Sequence, residues 1–193
     1  PPAKVSGVST AVRKAEMVTY LTLSWDKVSG ASGYRIYRYN TDAQAYEKVI
    51  TLTSGSTVSY KITGLATAKE YQFKVRAYRK VDGVTTWGSS SAAYKDSTKP
   101  GQTKSLKASS KSSAVTLKWN KVTRASGYQV YRYNSKTKKY EKLATVKGNA
   151  TFSYKNAKLK KGTTVKYKVR AYKTYNGTNY YGAFSDIVSI KVK

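Results

Sequence analysis

The chain contains neither cysteine nor histidine. Without cysteine it has no disulfides and no thiolate metal site, and without histidine it lacks the commonest general base and metal ligand. Acidic residues are also scarce, with nine Asp and Glu in 193 residues, and the second half contains only Glu141 and Asp186. A pair of catalytic carboxylates is therefore conceivable in the first half alone. These absences predict a protein that is not an enzyme and holds no cofactor or metal.

Long apolar runs are missing as well. No stretch approaches the roughly 18 residues that a membrane-spanning helix needs, so we expect no membrane insertion. The chain opens at Pro1-Pro2-Ala3-Lys4 without the pattern of a signal peptide, and we expect it to be a piece of a longer protein. Helical periodicity is limited to one short candidate at 12–17.

Positive charge, by contrast, is abundant. There are 37 Lys and Arg, which gives a net charge of +28. Residues 1–99 contain 15 basic and 7 acidic residues, a net of +8, and residues 100–193 contain 22 and 2, a net of +20. Such a field favours polyanionic partners. The alternative is a highly charged surface with no specific partner.

The clearest pattern is an internal repeat. Residues 21–91 align with residues 115–185 at a constant offset of 94, with 30 identities in 71 paired positions. The segment Gly33-Tyr34-Arg35-Ile36-Tyr37-Arg38-Tyr39-Asn40 recurs as Gly127-Tyr128-Gln129-Val130-Tyr131-Arg132-Tyr133-Asn134. Two copies of this size predict two domains, residues 1–99 and 100–193, joined by a short segment with Pro100 and Gly101.

Each copy has the signature of strands. Apolar and polar residues alternate at 21–25, 34–39 and 71–78, and turn pairs such as Asp82-Gly83 and Asn176-Gly177 separate the runs. Short strands at this spacing predict an all-β protein with one β-sandwich in each copy.

Each copy also resembles a fibronectin type III domain. The residues that carry the resemblance are Trp25 and Trp119, the Gly-Tyr pairs at 33–34 and 127–128, and the run from Leu65 through Tyr71 and Val75 to Ala77. The resemblance covers essentially the whole chain and implies two tandem immunoglobulin-like sandwiches of about seven strands each. The Gly-Tyr-x-Val-Tyr-Arg segment and Tyr181-Gly182-x-x-Ser185 resemble versions found in extracellular proteins of Gram-positive bacteria. The Arg-Gly-Asp integrin motif of the family is absent.

One surface stands out as a candidate binding face. Side chains alternate along a strand, so if Tyr34 and Ile36 point inward, their neighbours point outward. In the family the third and sixth strands are neighbours, which predicts two outer faces rich in tyrosine and cations. The candidate ligand-binding residues are Arg35, Tyr37, Tyr39, Lys74, Arg76 and Tyr78 in the first copy, and Tyr131, Tyr133, Lys168, Arg170 and Tyr172 in the second.

Two interpretations of these faces remain open. The rings suit stacking on a sugar or polymer while Lys and Arg hold anionic groups. Equally, Tyr and Arg have high β-propensity and cover exposed sheets without any ligand. A second patch contains Lys136, Lys138, Lys139 and Lys142 at a hairpin and Lys158, Lys160 and Lys161 at a loop. It fits either a solvated surface or electrostatic adhesion to an acidic polymer.

We therefore expect a non-catalytic, monomeric module of a secreted or cell-surface protein of a Gram-positive bacterium. Its expected role is to space and present neighbouring domains of the same polypeptide. The alternative is a binding module for polysaccharide or for an anionic polymer such as teichoic acid or an acidic glycan. Nucleic acid is not an expected partner, because the chain has no recognisable reader motif.

Overall fold

The structure is a computed structural model that describes residues 1–10 and 19–193. The helical candidate at 12–17 lies outside these residues. The chain divides into two compact units: unit 1 comprises residues 1–65 and 69–98, and unit 2 comprises residues 66–68 and 99–193. The described ranges contain β-strands and no helix, which confirms the predicted all-β class.

Unit 1 is built from two antiparallel sheets. Its strands are β1 Ser9–Thr10, β2 Leu21–Ser24, β3 Gly33–Asn40, β4 Ala45–Leu52, β5 Ser59–Ile62, β6 Glu70–Val81, β7 Val84–Ser90 and β8 Tyr94–Ser97. The smaller sheet has the order β1-β2-β5, and the larger has the order β4-β3-β6-β7. Strand β8 pairs with the first part of β6 and β7 with the remainder, so the two lie along the same edge. Seven strand positions result.

Unit 2 repeats this topology. Its strands are β9 Lys107–Lys111, β10 Ala114–Lys118, β11 Gly127–Asn134, β12 Lys139–Lys147, β13 Ser153–Asn156, β14 Thr164–Tyr175, β15 Thr178–Tyr181 and β16 Val188–Lys191. The smaller sheet has the order β13-β10-β9, and the larger has the order β12-β11-β14-β15 with β16 also on β14. The candidate ligand-binding residues lie on the two larger sheets.

The core of each unit lies between its sheets, and the predicted alternation selects its residues. Tyr34, Ile36, Phe73, Val75 and Ala77 are fully buried, while the residues between them, Arg35, Lys74 and Arg76, are partly exposed. Burial of such side chains stabilises each fold by roughly 1.5–3 kcal/mol per residue. The predicted inward positions of Tyr34, Ile36, Phe73 and Val75 are therefore confirmed.

A buried tryptophan and tyrosine join the two sheets of each unit. The rings of Trp25 and Tyr34 lie 5.4 Å apart, and those of Trp119 and Tyr128 lie 5.3 Å apart. The hydroxyl of Tyr128 accepts the backbone N–H of Val122 at 2.8 Å. Burial raises the pKa of Tyr128, and the Val122 hydrogen bond partly offsets this. The Gly-Tyr repeat thus supplies a core ring with a satisfied polar end.

The two cores differ at one pair of equivalent positions. Unit 1 has Phe73 and Ile62, both buried, where unit 2 has Tyr167 and Asn156. The Asn156 amide donates to the Tyr167 hydroxyl at 2.8 Å. Burial raises the pKa of Tyr167, and the Asn156 hydrogen bond counteracts this. A hydrogen-bonded pair has therefore replaced an apolar pair without changing the strands.

This difference predicts strong coupling between the two residues. Tyr167→Phe or Asn156→Ile alone should destabilise unit 2 by about 1–3 kcal/mol, because each leaves a buried polar group unpaired. The double variant recreates the pair of unit 1 and should regain most of that loss. Urea unfolding of the four proteins measures the coupling, and additive single effects would contradict it.

A second difference concerns the segment that enters each unit. The N–H of Asp26 donates to the Ser6 carbonyl, and that of Asn120 donates to the Lys104 carbonyl, both at 3.0 Å. Val5 and Thr103 are therefore equivalent, and both are buried. The Thr103 hydroxyl has no hydrogen-bond partner among the described residues. Unit 2 thus carries an unpaired buried hydroxyl where unit 1 has a methyl group.

Thr103→Val should stabilise unit 2 by about 1–3 kcal/mol, because it removes a desolvated hydroxyl at nearly constant volume. Val5→Thr is the matched control and should destabilise unit 1 by a similar amount. Chemical denaturation provides both values. A loss of stability in the Thr103 variant would show that the hydroxyl is satisfied in solution.

Candidate binding faces

The candidate residues of unit 1 lie together on the outer face of its larger sheet. Strands β3 and β6 are neighbours, with Arg35 opposite Arg76 and Tyr37 opposite Lys74. Tyr39 lies opposite Tyr46 on β4. Alternation with the buried core residues directs these side chains outward. The sequence therefore places all six residues on one face, and what they contact there decides their availability.

Rings and cations alternate across this face. The guanidinium carbons of Arg35 and Arg76 lie 4.2 and 5.4 Å from the ring centroid of Trp87 on β7. Further along the sheet, the Lys74 ammonium lies 4.3 Å from the ring of Tyr46, which packs against Tyr39 at 5.2 Å. Each close cation–ring contact contributes about 0.5–1 kcal/mol at a partly exposed site.

Unit 2 carries a longer series of the same kind, which we call the unit 2 ladder. The ladder consists of Tyr181, Arg170, Tyr131, Phe184, Lys168, Tyr140, Tyr133 and Lys166. The Arg170 guanidinium lies 3.9 Å from the Tyr181 ring and 4.9 Å from the Phe184 ring. The Lys168 ammonium lies between Phe184 at 4.1 Å and Tyr140 at 4.4 Å. Arg170 and Lys168 are thus each shared by more than one ring.

Hydrogen bonds fix Arg170 within the ladder. Its Nε and Nη2 atoms donate to Oε1 of Gln129 at 3.0 and 2.9 Å, and Nη2 also donates to the Tyr131 hydroxyl at 2.8 Å. Gln129 is buried and stands where unit 1 has Arg35. Unit 1 thus has two arginines, Arg35 and Arg76, stacked on Trp87. Unit 2 has a glutamine in place of the first arginine, and this glutamine accepts hydrogen bonds from Arg170.

Tyr78 and Tyr172 correct the sequence prediction. Each lies on the outer face but is buried, with 8% and 7% of its surface exposed. Tyr78 lies opposite Gly33, where a Cβ atom would come within 2.8 Å of the Tyr78 ring, and its ring lies 5.0 Å from that of Trp87. A ring that covers a glycine and is itself covered offers no face to a ligand. We therefore remove both tyrosines from the candidate surface.

The rings that complete these faces were missed in the sequence. They are Tyr46 and Trp87 in unit 1, and Tyr140, Tyr181 and Phe184 in unit 2. A signal existed, because Tyr46 and Tyr140 coincide at the repeat offset, as do Trp87-Gly88-x-x-Ser91 and Tyr181-Gly182-x-x-Ser185. The strand that carries this second motif was not predicted to lie beside β6 or β14.

The remaining residues of that motif have structural roles. A Cβ atom on Gly88 would lie 2.5 Å from the Pro2 carbonyl oxygen, and one on Gly182 would lie 2.5 Å from that of Gly101. The hydroxyl of Ser91 accepts the Val75 N–H at 3.0 Å and donates to the Ala92 carbonyl. Each glycine thus lets the first segment of its unit pass close to the backbone. The serine hydroxyl provides a hydrogen-bond acceptor for a backbone N–H at the edge of β6.

Electrostatics distinguish the ladder from the lysine hairpin. Burial, together with the neighbouring Tyr133, raises the pKa of Tyr140, so this ring stays neutral beside Lys168. In the hairpin between β11 and β12, hydrogen bonds from Asn134 and Thr137 lower the pKa of Glu141. Glu141 is therefore a carboxylate among the lysines at 136–142, and that patch has mixed charge.

The acidic side chains in the described part of the chain form no cluster that could act as a metal centre. No group of three or more Asp or Glu side chains within residues 1–10 and 19–193 is placed to hold a metal ion. A hollow of about 530 Å³ in unit 1 is lined by residues 4–8 and 91–94, none of which is acidic. No helix in the described ranges is long and apolar enough to cross a bilayer.

Loss of Arg170 should destabilise unit 2 more than loss of Arg76 destabilises unit 1. Arg170→Ala removes several ring contacts and leaves the buried Gln129 oxygen without its arginine donors, which should cost about 2–3 kcal/mol. Arg76→Ala should cost about 1 kcal/mol or less, because Arg35 still covers Trp87. Urea unfolding of both variants tests this order, and equal losses would contradict it.

Comparisons with known proteins agree with this architecture. The family model of the fibronectin type III domain matches residues 8–92. Among solved structures, the chain is similar to a segment of two fibronectin type III domains from chicken tenascin, with 17% identity, a TM-score of 0.60, and coverage of 97% of this chain and 99% of that one. The FN1–FN3 domains of chicken CNTN1 align over 100% of this chain and 68% of that one, with 20% identity and a TM-score of 0.45. No curated protein matches the sequence.

Residues 8–92 thus match the fibronectin type III model, and the chain has the fold of two such domains in tandem. The tenascin segment supports the fold alone at this level of identity. The predicted Gram-positive origin stays a prediction.

Proposed function

We propose that this chain is a non-catalytic tandem module that spaces and presents neighbouring domains of a secreted or cell-surface protein. The observation that carries the proposal is that cations of the same sheet already cover the aromatic rings on both outer faces. Trp87, Tyr46, Tyr140, Tyr181 and Phe184 each have a cation from the same sheet over the ring. Faces whose rings already hold their cations are stable without a ligand.

The family resemblance supports the same role. Fibronectin type III domains are generally structural or binding modules, and tandem domains imply further domains on the same polypeptide. Strand β8 ends at Ser97 and β9 begins at Lys107, so the connection between the units is short. A short connection limits the relative freedom of two domains more than a long flexible linker does. We propose a monomer located outside the cell.

A second candidate function is binding of a polysaccharide or anionic polymer at the two outer faces. The observation that favours it is that Lys74, Arg76, Lys168 and Arg170 remain partly exposed while stacked on rings. Such cations are already oriented, so less side-chain entropy would be lost when an anionic group binds. Tyr37, Tyr39, Tyr131 and Tyr133 are also partly exposed and remain candidates for contact.

Pull-down on polysaccharides and anionic cell-wall polymers at two salt concentrations separates these functions. The test variant is Lys74→Gln with Lys168→Gln, and the control is Arg79→Gln with Lys173→Gln, on the same strands and at equivalent positions. A spacer predicts equal retention of both variants, because only net charge matters. Selective loss in the test variant, with cooperative unfolding of both units retained, would establish the binding function instead.

A further inference from the structure

The outer face of the smaller sheet of unit 2 carries a set of exposed lysines. Lys107 and Lys111 lie on β9, Lys118 on β10 and Lys155 on β13, and all four are exposed. The intervening residues point inward, and Ala108, Leu117 and Tyr154 pack on the core. We call these four residues the lysine face. They lie on the opposite sheet from the unit 2 ladder.

The strand register brings these lysines close together. Lys107 lies directly opposite Lys118, and Lys155 lies opposite Thr116, two residues before Lys118. With about 4.8 Å between strands and about 3.3 Å per residue, the four Cα atoms span roughly 10 by 13 Å. Like charges directly opposite each other destabilise a sheet. The arrangement is therefore unfavourable unless an anion lies over it.

No carboxylate balances this charge on the three strands. The other outward residues there are Ser109, Ala114, Thr116 and Ser153. The mixed hairpin at 136–142 contains Glu141, but this sheet contains no acid at all. Such a concentrated field attracts a polyanion and raises its local concentration.

Unit 1 does not share the feature. Its register places Ser9 opposite Ser24 where unit 2 places Lys107 opposite Lys118. Among the unit 1 positions that the structure describes, Lys61, the equivalent of Lys155, is the one that keeps a lysine. Two serines in one copy and two lysines in the other show that the fold does not require this charge.

The lysine face continues toward one end of unit 2. The N–H of Leu159 donates to the Ser113 carbonyl at 2.9 Å, which attaches the loop after β13 to the turn between β9 and β10. That loop carries the exposed residues Lys158, Lys160 and Lys161. A linear ligand that leaves the sheet beyond Lys111 therefore meets further positive charge.

We propose that the lysine face binds a linear phosphate polymer, which goes beyond the spacer function and uses a different sheet from its alternative. Lysine binds phosphate as a point charge, and adjacent ammonium groups can share one phosphate group. No aromatic side chain projects outward from β9, β10 or β13, so the face has no platform for nucleobases or sugar rings. A phosphate chain without bases or sugar rings therefore fits this surface better than a glycan or a nucleic acid does.

The test compares binding of inorganic polyphosphate to the full chain and to two variants with the same loss of charge. One variant replaces Lys107, Lys111, Lys118 and Lys155 by Gln. The control replaces Lys136, Lys138, Lys139 and Lys142 by Gln. Each lysine–phosphate contact contributes about 0.7 to the slope of log K against log salt concentration. Loss of four contacts should therefore make this slope shallower by about 3 in the first variant. The control should change it by about 1 or less.

Equal losses in the two variants would show binding by net charge alone and would overturn the proposal. It is also overturned if polyphosphate does not bind at low salt, or if binding is lost instead in the variant of the larger sheets, Lys74→Gln with Lys168→Gln. Sulfated glycan and single-stranded DNA are run as parallel probes. Tighter binding of either, dependent on the same four lysines, would replace the phosphate polymer as ligand.

A measurement on the unaltered chain keeps the proposal testable if the variants fold poorly. Lysine acetylation with and without polyphosphate, read by mass spectrometry, should show selective protection of the four residues. Uniform protection of all exposed lysines would contradict the assignment. The spacer function is unaffected by either outcome, because its test uses variants of the larger sheets.

Discussion

The packing of a tryptophan against a tyrosine holds each unit together. Trp25 follows the last residue of β2 in the smaller sheet, and Tyr34 belongs to β3 in the larger one, so their contact spans the sandwich. The Tyr34 hydroxyl accepts the Val28 N–H at 2.9 Å and thereby fixes the connection between the sheets. All other features depend on this, because it sets which side of β3 faces the core and which faces outward.

Much of the fold followed from alternation and repetition in the sequence. Period-two patterns at 34–39 and 71–78 predicted the inward residues correctly, and the offset of 94 predicted two similar units. The burial of Tyr78 and Tyr172 could not be predicted in this way. It depends on a glycine across the strand pair and on a ring from β7 or β15, and alternation along one strand contains no information about its neighbours.

The lysine face illustrates a second limit. Lys107, Lys118 and Lys155 are far apart in the sequence and belong to no charge run, unlike the lysines at 136–142. Only the pairing of β9, β10 and β13 brings them together. Moreover, the segment before Trp25 is about four residues longer than that before Trp119, so the constant offset does not align Ser9 with Lys107. The contrast between the copies appears once the strand register is known.

The arrangement of the first and last segments of unit 2 has a mechanical consequence. The chain enters where the Gln102 amide donates to the Phe184 carbonyl at 3.0 Å, and it leaves through β16, paired antiparallel with β14 over four residues. Near Lys193 the backbone also bonds to Ser110, close to the far end of β9, and to Ser113 in the turn that follows. Entry and exit thus lie at opposite ends of the same sandwich. Tension along the polypeptide would load the hydrogen bonds of β16 together in shear, so the strand would resist a pull that would peel a hairpin open one bond at a time.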